Sequence, residues 1–125
     1  MLEFTFKVVA QPKRSVQTTR SGHTFTHKKD RAYRNFLKQL IKTNYLGKPL
    51  TGPLKATVVF TFVPPKSDKK RKYPYKKPDI DNLCKNLFDP MSGVLWKDDA
   101  QIVKLEAEKA YGEVPSIYLK VEELS

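Results

Sequence analysis

Pro78-Asp79-Ile80-Asp81-Asn82-Leu83-Cys84-Lys85-Asn86-Leu87-Phe88-Asp89 lies between two stretches that alternate as strands do. Within it Ile80, Leu83, Cys84, Leu87 and Phe88 recur at i, i+3, i+4, i+7 and i+8, the stripe of a half-buried helix. Pro78 disfavours a helical Lys77, and Asp79 is a preferred capping residue. The spacing predicts a helix over residues 79–91.

Before this helix, Leu54, Ala56, Val58, Phe60 and Phe62 alternate with Lys55, Thr57, Val59 and Thr61, and Pro64-Pro65 ends the run. That is a strand over 54–63. After it, residues 101–110 and 116–123 alternate in the same way around Gly112 and Pro115, so the two are expected to form a hairpin. Near the start, Leu2, Phe4, Phe6, Val8 and Ala10 share one face of a strand over 2–10. Residues 11–28 have no periodicity and form a long basic loop. Tyr33, Phe36, Leu37, Leu40 and Ile41 then mark the buried stripe of a helix over 29–45, with Arg31, Arg34, Lys38 and Lys42 on another face. The order β-α-β-α-β-β predicts an α+β fold of one domain over residues 1–125: a two-layer sandwich with a four-stranded mixed or antiparallel sheet and two amphipathic helices on one face. Strand order cannot be read from the pattern.

The chain has 125 residues, with 24 Lys and Arg against 13 Asp and Glu, a formal net charge of +11. Such a balance points to a polyanionic partner, nucleic acid before membrane. No apolar run approaches the ~20 residues of a membrane span, and Met1 to Ala10 has no signal-peptide shape. Cys84 is the single cysteine, so no internal disulfide partner exists, and no zinc-type spacing is present. A soluble cytoplasmic protein is expected.

The acids are placed unevenly. Asp79, Asp81, Asp89, Asp98 and Asp99 are five of the 13, all aspartate, within one short stretch of a basic chain. A carboxylate cluster repels phosphate unless a cation bridges the two, and Mg²⁺ is the hard, oxygen-seeking ion that does so. Asp79 and Asp81 converge only if Asp79 is still extended before the first helical turn. Asp98 and Asp99 stand at the mouth of the next strand, which would close the site by pairing beside the helix start. Ordinary helix capping explains the same carboxylates, and spacing alone leaves both readings open. Lys85 by itself reads as half of an i,i+4 salt bridge with Asp81 or Asp89.

The segment from Lys77 to Asp89, followed by Gly93-Val94-Leu95-Trp96-Lys97-Asp98-Asp99-Ala100-Gln101-Ile102, resembles the signature of the RusA family of Holliday-junction resolvases. That signature is a basic residue, D-x-D-N-x-x-K, an Asp four residues on, and G-x-x-W-x-D-D-x-Q. The resemblance implies a homodimeric, Mg²⁺-dependent endodeoxyribonuclease, with Mn²⁺ able to substitute, that nicks four-way DNA junctions symmetrically in recombination and repair. It implies Asp79, Asp81 and Asp99 as catalytic metal-binding carboxylates, Lys85 as an essential basic residue, and Asp98 and Asp89 as supporting acids. It also implies a bacterial or phage-encoded protein associated with the nucleoid.

The basic segments would then hold branched DNA by its phosphates, through Lys13, Arg14 and Arg20 in the first and Lys69, Lys70, Arg71, Lys72, Lys76 and Lys77 in the second. Tyr73 and Tyr75 are expected to touch nucleic acid, whereas Trp96, Phe25 and Cys84 read more readily as core. His23 and His27 read as loop residues. Two alternatives remain at this level: a non-catalytic module for structured DNA or RNA, and a metal-dependent nuclease preferring flaps or forks.

Overall fold

The computed structural model describes residues 1–13, 17–18, 24–25, 28–67 and 70–125, with 17–18 and 24–25 as backbone alone. The elements are β1 (Leu2–Phe6), β2 (Gln17–Thr18), β3 (Thr24–Phe25), α1 (Lys28–Asn44), β4 (Leu54–Phe62), α2 (Ile80–Met91), β5 (Ile102–Tyr111) and β6 (Ser116–Glu123). The expected α+β order is present, with β2 and β3 added as a small separate antiparallel pair. No helix among the described residues is long and apolar enough to cross a membrane.

The main sheet is mixed, in the order β1-β6-β4-β5. β6 pairs antiparallel with both β1 and β4, while β5 pairs parallel with β4. The expected β5–β6 hairpin therefore does not form. β4 lies between those two strands, and Gly112 N–H donates to the Phe62 carbonyl at 2.9 Å as the chain steps across β4's end. The physical reason is burial: Leu54, Ala56, Val58 and Phe60 are sealed from solvent. An edge strand would leave that row half covered, whereas a central strand buries it completely.

β1 ends at Phe6 rather than Ala10, because Val8 N–H turns back to the Phe6 carbonyl at 3.0 Å. In α1, Tyr33, Leu37 and Ile41 form the buried stripe, and Phe36 departs from expectation by being 49% exposed. It sits three positions from Tyr33 but one before Leu37, which puts it past the rim of a stripe centred on 33, 37 and 41.

Leu83, Leu87 and Met91 of α2 are fully buried against the sheet, worth about 1.5–3 kcal/mol each in removed apolar surface. Trp96 and Leu95 complete this core, with the Trp96 ring edge-on to Phe88 at 5.6 Å. β4, α2 and β5 make a β-α-β crossover. α2 must run back against the two parallel strands it joins, so its first turn lies at the end where β4 and β5 finish.

Candidate active site

Asp79 stands where extended chain becomes helix, with φ −75° and ψ 140°, and its side chain makes no capping hydrogen bond. The condition under which Asp79 and Asp81 can share a cation is met, and the expected capping role is not taken up. Asp81, in the first turn, is exposed. Neither carboxylate is in an ion pair among the described residues. Two carboxylates two residues apart and outside the ion pairs of the described residues are the kind of oxygen donors a hard cation such as Mg²⁺ takes.

Neighbouring segments hold this corner in place. Lys109 Nζ donates to the carbonyls of Lys76 and Pro78, both at 2.8 Å, and so pins the strap that leads into Asp79. On the other side, Lys13 N–H donates to the Asn82 carbonyl at 3.1 Å. The fully buried Asn86 donates through Nδ2 to the Gln11 carbonyl at 3.1 Å. These contacts border a cleft of about 610 Å³ lined by Val9, Phe62, Lys13, Lys77 and Asp79 among others. Cation-lined and next to the carboxylates, it suits a phosphodiester backbone.

Lys85 lies one turn beyond Asp81 on the exposed side of α2. It forms no ion pair among the described residues. The salt bridge that spacing favoured does not form with Asp81, and Asp89 is engaged elsewhere: its Oδ2 accepts from Arg34 Nη1 at 3.0 Å and from Lys13 Nζ at 3.2 Å. Asp89 thus ties α1 and the 11–13 segment to α2. Asp98 is also occupied. It caps the short 3-10 turn Asp99–Gln101, accepting from Ala100 N–H at 3.1 Å while Gln101 Oε1 accepts from Asp98 N–H at 2.8 Å.

Asp99 is not beside Asp79 and Asp81. Its Oδ1 accepts from Trp96 Nε1 at 2.8 Å, near the end of α2. The expectation that the strand after Asp99 opens beside the start of the helix is corrected by the crossover: β5 starts where α2 finishes. The twelve residues of α2 separate the two ends by about 18 Å. Among the described residues no three Asp, Glu, His or Cys side chains converge on one point.

The family model for endodeoxyribonuclease RusA matches residues 5–122. The chain belongs to the RusA family. It is similar to uncharacterized protein YqaN of Bacillus subtilis (strain 168), 32% identical over 114 residues that cover 79% of this chain and 80% of that protein. It is also similar to a crossover junction endodeoxyribonuclease of Lactococcus phage r1t, 41% identical over 75 residues, 58% of this chain and 56% of the phage protein.

In this RusA-family chain the basic strap presents Lys70, Lys72, Lys76 and Lys77 to solvent. Tyr73 and Tyr75 are exposed as well, at 71% and 72%. Arg71 is half-buried, stacked on the Tyr75 ring at 5.0 Å and donating to the Tyr111 hydroxyl at 3.2 Å, so it braces the strap. Arg14, Arg20 and Lys69 lie outside the described residues, as do His23, His27 and the Phe25 side chain. Trp96 and Cys84 are core residues, as expected. Burial, and secondarily the Asp81 charge, push the Cys84 thiol up to about 11, which leaves it inert at neutral pH.

The sequence reading missed three residues: Lys109, Asn86, and Trp96 as a donor. Lys109 carried a signal, since a lysine in register with Phe60 on the helix-facing side of β5 needs acceptors for its ammonium.

Proposed function

We propose that this RusA-family chain is a Mg²⁺-dependent endodeoxyribonuclease that resolves four-way DNA junctions as a homodimer. The observation that carries the reading is the pair of unpartnered carboxylates, Asp79 and Asp81, beside a cation-rimmed cleft. In this reading they hold the ion, Mn²⁺ being able to replace Mg²⁺. When bound, the ion supplies charge neutralisation at the scissile phosphate and a more acidic water. Asp99 of the same chain is too far away to join them. A second copy must bring its own Asp99 to complete a three-carboxylate site, which makes dimerisation part of the catalytic design.

The protein's own groups then divide the work. Lys13 and Lys77 grip phosphates that flank the scissile one, and Lys76 and Lys72 extend the grip along a DNA arm. Lys85, free of salt bridges on the side of α2 that carries Asp81, neutralises charge developing on the phosphate as water adds and the P–O bond breaks. Tyr73 and Tyr75 offer faces for unpaired bases at the crossover. Two sites related by a two-fold axis match the two-fold symmetry of the junction. The setting is the nucleoid DNA of a bacterium or a resident phage.

The test offers the protein a synthetic four-way junction, a matched linear duplex and a Y-fork, each with Mg²⁺, Mn²⁺ or EDTA, with Asp81→Asn alongside. Paired symmetric nicks on the junction that require the divalent ion and vanish in Asp81→Asn, with binding retained, are expected. Junction binding without cleavage under any divalent ion overturns the reading in favour of a non-catalytic module. Faster cleavage of the fork overturns the junction assignment.

A further inference from the structure

β5 is an edge strand of the main sheet, with β4 on one side and no described strand on the other. Its last residues are flanked by the basic strap, through Lys109 to Lys76 and Pro78 and through Tyr111 to Arg71. The open part of the edge is therefore Ile102–Glu108, whose midpoint is Leu105. Along it Val103, Lys104, Leu105 and Glu106 are all exposed in succession. Val103 is 60% exposed and Leu105 46%, although Leu105 is in register with the fully buried Ala56 on the helix-facing side. Val103 and Leu105 thus lie uncovered along an edge whose backbone pairs, among the described residues, with β4 alone, a template for strand addition.

We infer that this edge receives a second copy of the chain, β5 pairing antiparallel with β5 about a two-fold axis through Leu105. The inference rests on the dimeric reading above and adds the surface and the register. Two-fold antiparallel strands in one sheet keep every side chain on its own face, so the axis passes through a residue and opposed pairs share parity. An axis through Lys104 sets that lysine against itself, and one through Glu106 does the same with glutamate. An axis through Ala107 opposes Glu106 with Glu108. With Leu105 at the axis, Lys104 of each copy faces Glu106 of the other, and Leu105 meets Leu105. Directly opposed unlike charges stabilise a strand pair and like charges weaken it.

The local charges agree with this register. Lys104 forms no ion pair among the described residues. Glu106 is held from behind by Lys55 Nζ at 3.3 Å while its side chain stays 68% exposed. Pairing extends that contact into a Lys55–Glu106–Lys104 ladder across both strands. Val103, the extra residue where the β4–β5 register shifts, adds apolar surface next to Leu105. The opposite edge, β1, is open too, but its apolar side chains are at least partly covered, with Phe4 packed edge-on against Tyr45. This register also sets the start of β5 in one copy level with its end in the other, the end at which Lys109 holds Pro78 next to Asp79.

Two measurements on the full chain test the inference. Leu105→Cys under mild oxidation or with a short bis-maleimide is expected to give a covalent dimer, whereas Thr5→Cys on the β1 edge gives none. In sedimentation, Lys104→Glu and Glu106→Lys are each expected to weaken the dimer roughly tenfold, since each reverses two symmetry-related pairs, and the double swap restores it. A monomeric wild-type protein, a cross-link from position 5 but not 105, or single reversals that leave the dimer constant unchanged overturns it. Junction cleavage by the wild-type protein is scored separately. Cleavage with a dimer indifferent to β5 sinks this surface and spares the nuclease reading.

Discussion

Trp96 Nε1 donates to Asp99 Oδ1 at 2.8 Å, from a ring that is fully buried. The carboxylate for which the family resemblance implies metal binding is thus held by a core residue. It lies at the opposite end of α2 from the other two carboxylates of its own chain. Trp96→Phe keeps an aromatic ring against Phe88 and removes the donor. We expect junction cleavage to fall about tenfold to a hundredfold, as for a catalytic group that loses its positioning. Junction affinity and the far-ultraviolet spectrum should stay near wild type. Unchanged single-turnover rates would detach this hydrogen bond from catalysis.

Lys109 spends its ammonium on the carbonyls of Lys76 and Pro78. Lys109→Met keeps the aliphatic stem and frees the strap. A lost charged hydrogen-bond donor costs about 1.5–3 kcal/mol, to be read from urea unfolding. Cleavage should drop with it, because Asp79 follows directly on Pro78. Lys109→Arg, which can donate again, should recover part of both losses.

Asp89 and Asp98 are held by the fold, and their variants should separate from those of Asp79 and Asp81. Asp89→Asn loses its charge against Arg34 and Lys13, and Asp98→Ala loses the cap on the 99–101 turn. Each is expected to cost about 1 kcal/mol of stability. That corresponds to a melting shift of about 3–6 °C for a chain of this size, with cleavage retained below the melting range. Asp79→Asn and Asp81→Asn should do the reverse, abolishing cleavage while leaving the melting temperature in place.

The exposed strap lysines should act through phosphate alone. Joint replacement of Lys76 and Lys77 by Ala is expected to reduce the slope of log affinity against log salt by about 2. The loss should be equal on junctions of different sequence. Arg71→Ala should behave differently, since it unstacks Tyr75 and releases Tyr111. Its signature is a looser strap, read as faster proteolysis near residue 71.

Burial pushes the Tyr33 phenol from 10.0 up to about 12, against a smaller opposing pull from the Gln11 backbone. The unfolded chain releases this proton near pH 10 and the folded chain keeps it to about pH 12. The unfolded state therefore binds fewer protons in that window, and stability falls as pH rises through it. Urea midpoints should show no pH dependence from this group below pH 10 and a decline between 10 and 12. Tyr33→Phe should shallow the decline. Part of it should survive, because Tyr118, bonded to Glu3 at 2.8 Å, is raised as well.

Much of the architecture was legible because side-chain periodicity is a local property. The period of two in Leu54–Phe62 and the 3.6 period from Ile80 to Phe88 each report a single buried face, and the observed elements follow them within a few residues. The concentration of aspartates was legible too, but not how they divide, because Asp89 is taken up by ion pairs and Asp98 by a cap whose partners are set by the fold. Phe36 was misjudged because the edge of a helical stripe is set by the neighbour it meets. Spacing alone paired Lys85 with Asp81 or Asp89; neither bridge forms among the described residues, and Asp89 is held instead by Arg34 and Lys13, residues far away in the chain.

The sequence alone placed the four strands of the main sheet and both helices, and its charge pointed to a polyanionic partner. Only the tertiary structure decided that β4 lies between β5 and β6, and that α2 runs back against β5. Strand pairing is non-local: the same alternating pattern satisfies a hairpin or a crossover, and the choice falls to whichever buries β4 on both sides. That choice sends Asp99 to the opposite end of the helix from Asp79 and Asp81, and leaves the edge around Leu105 open.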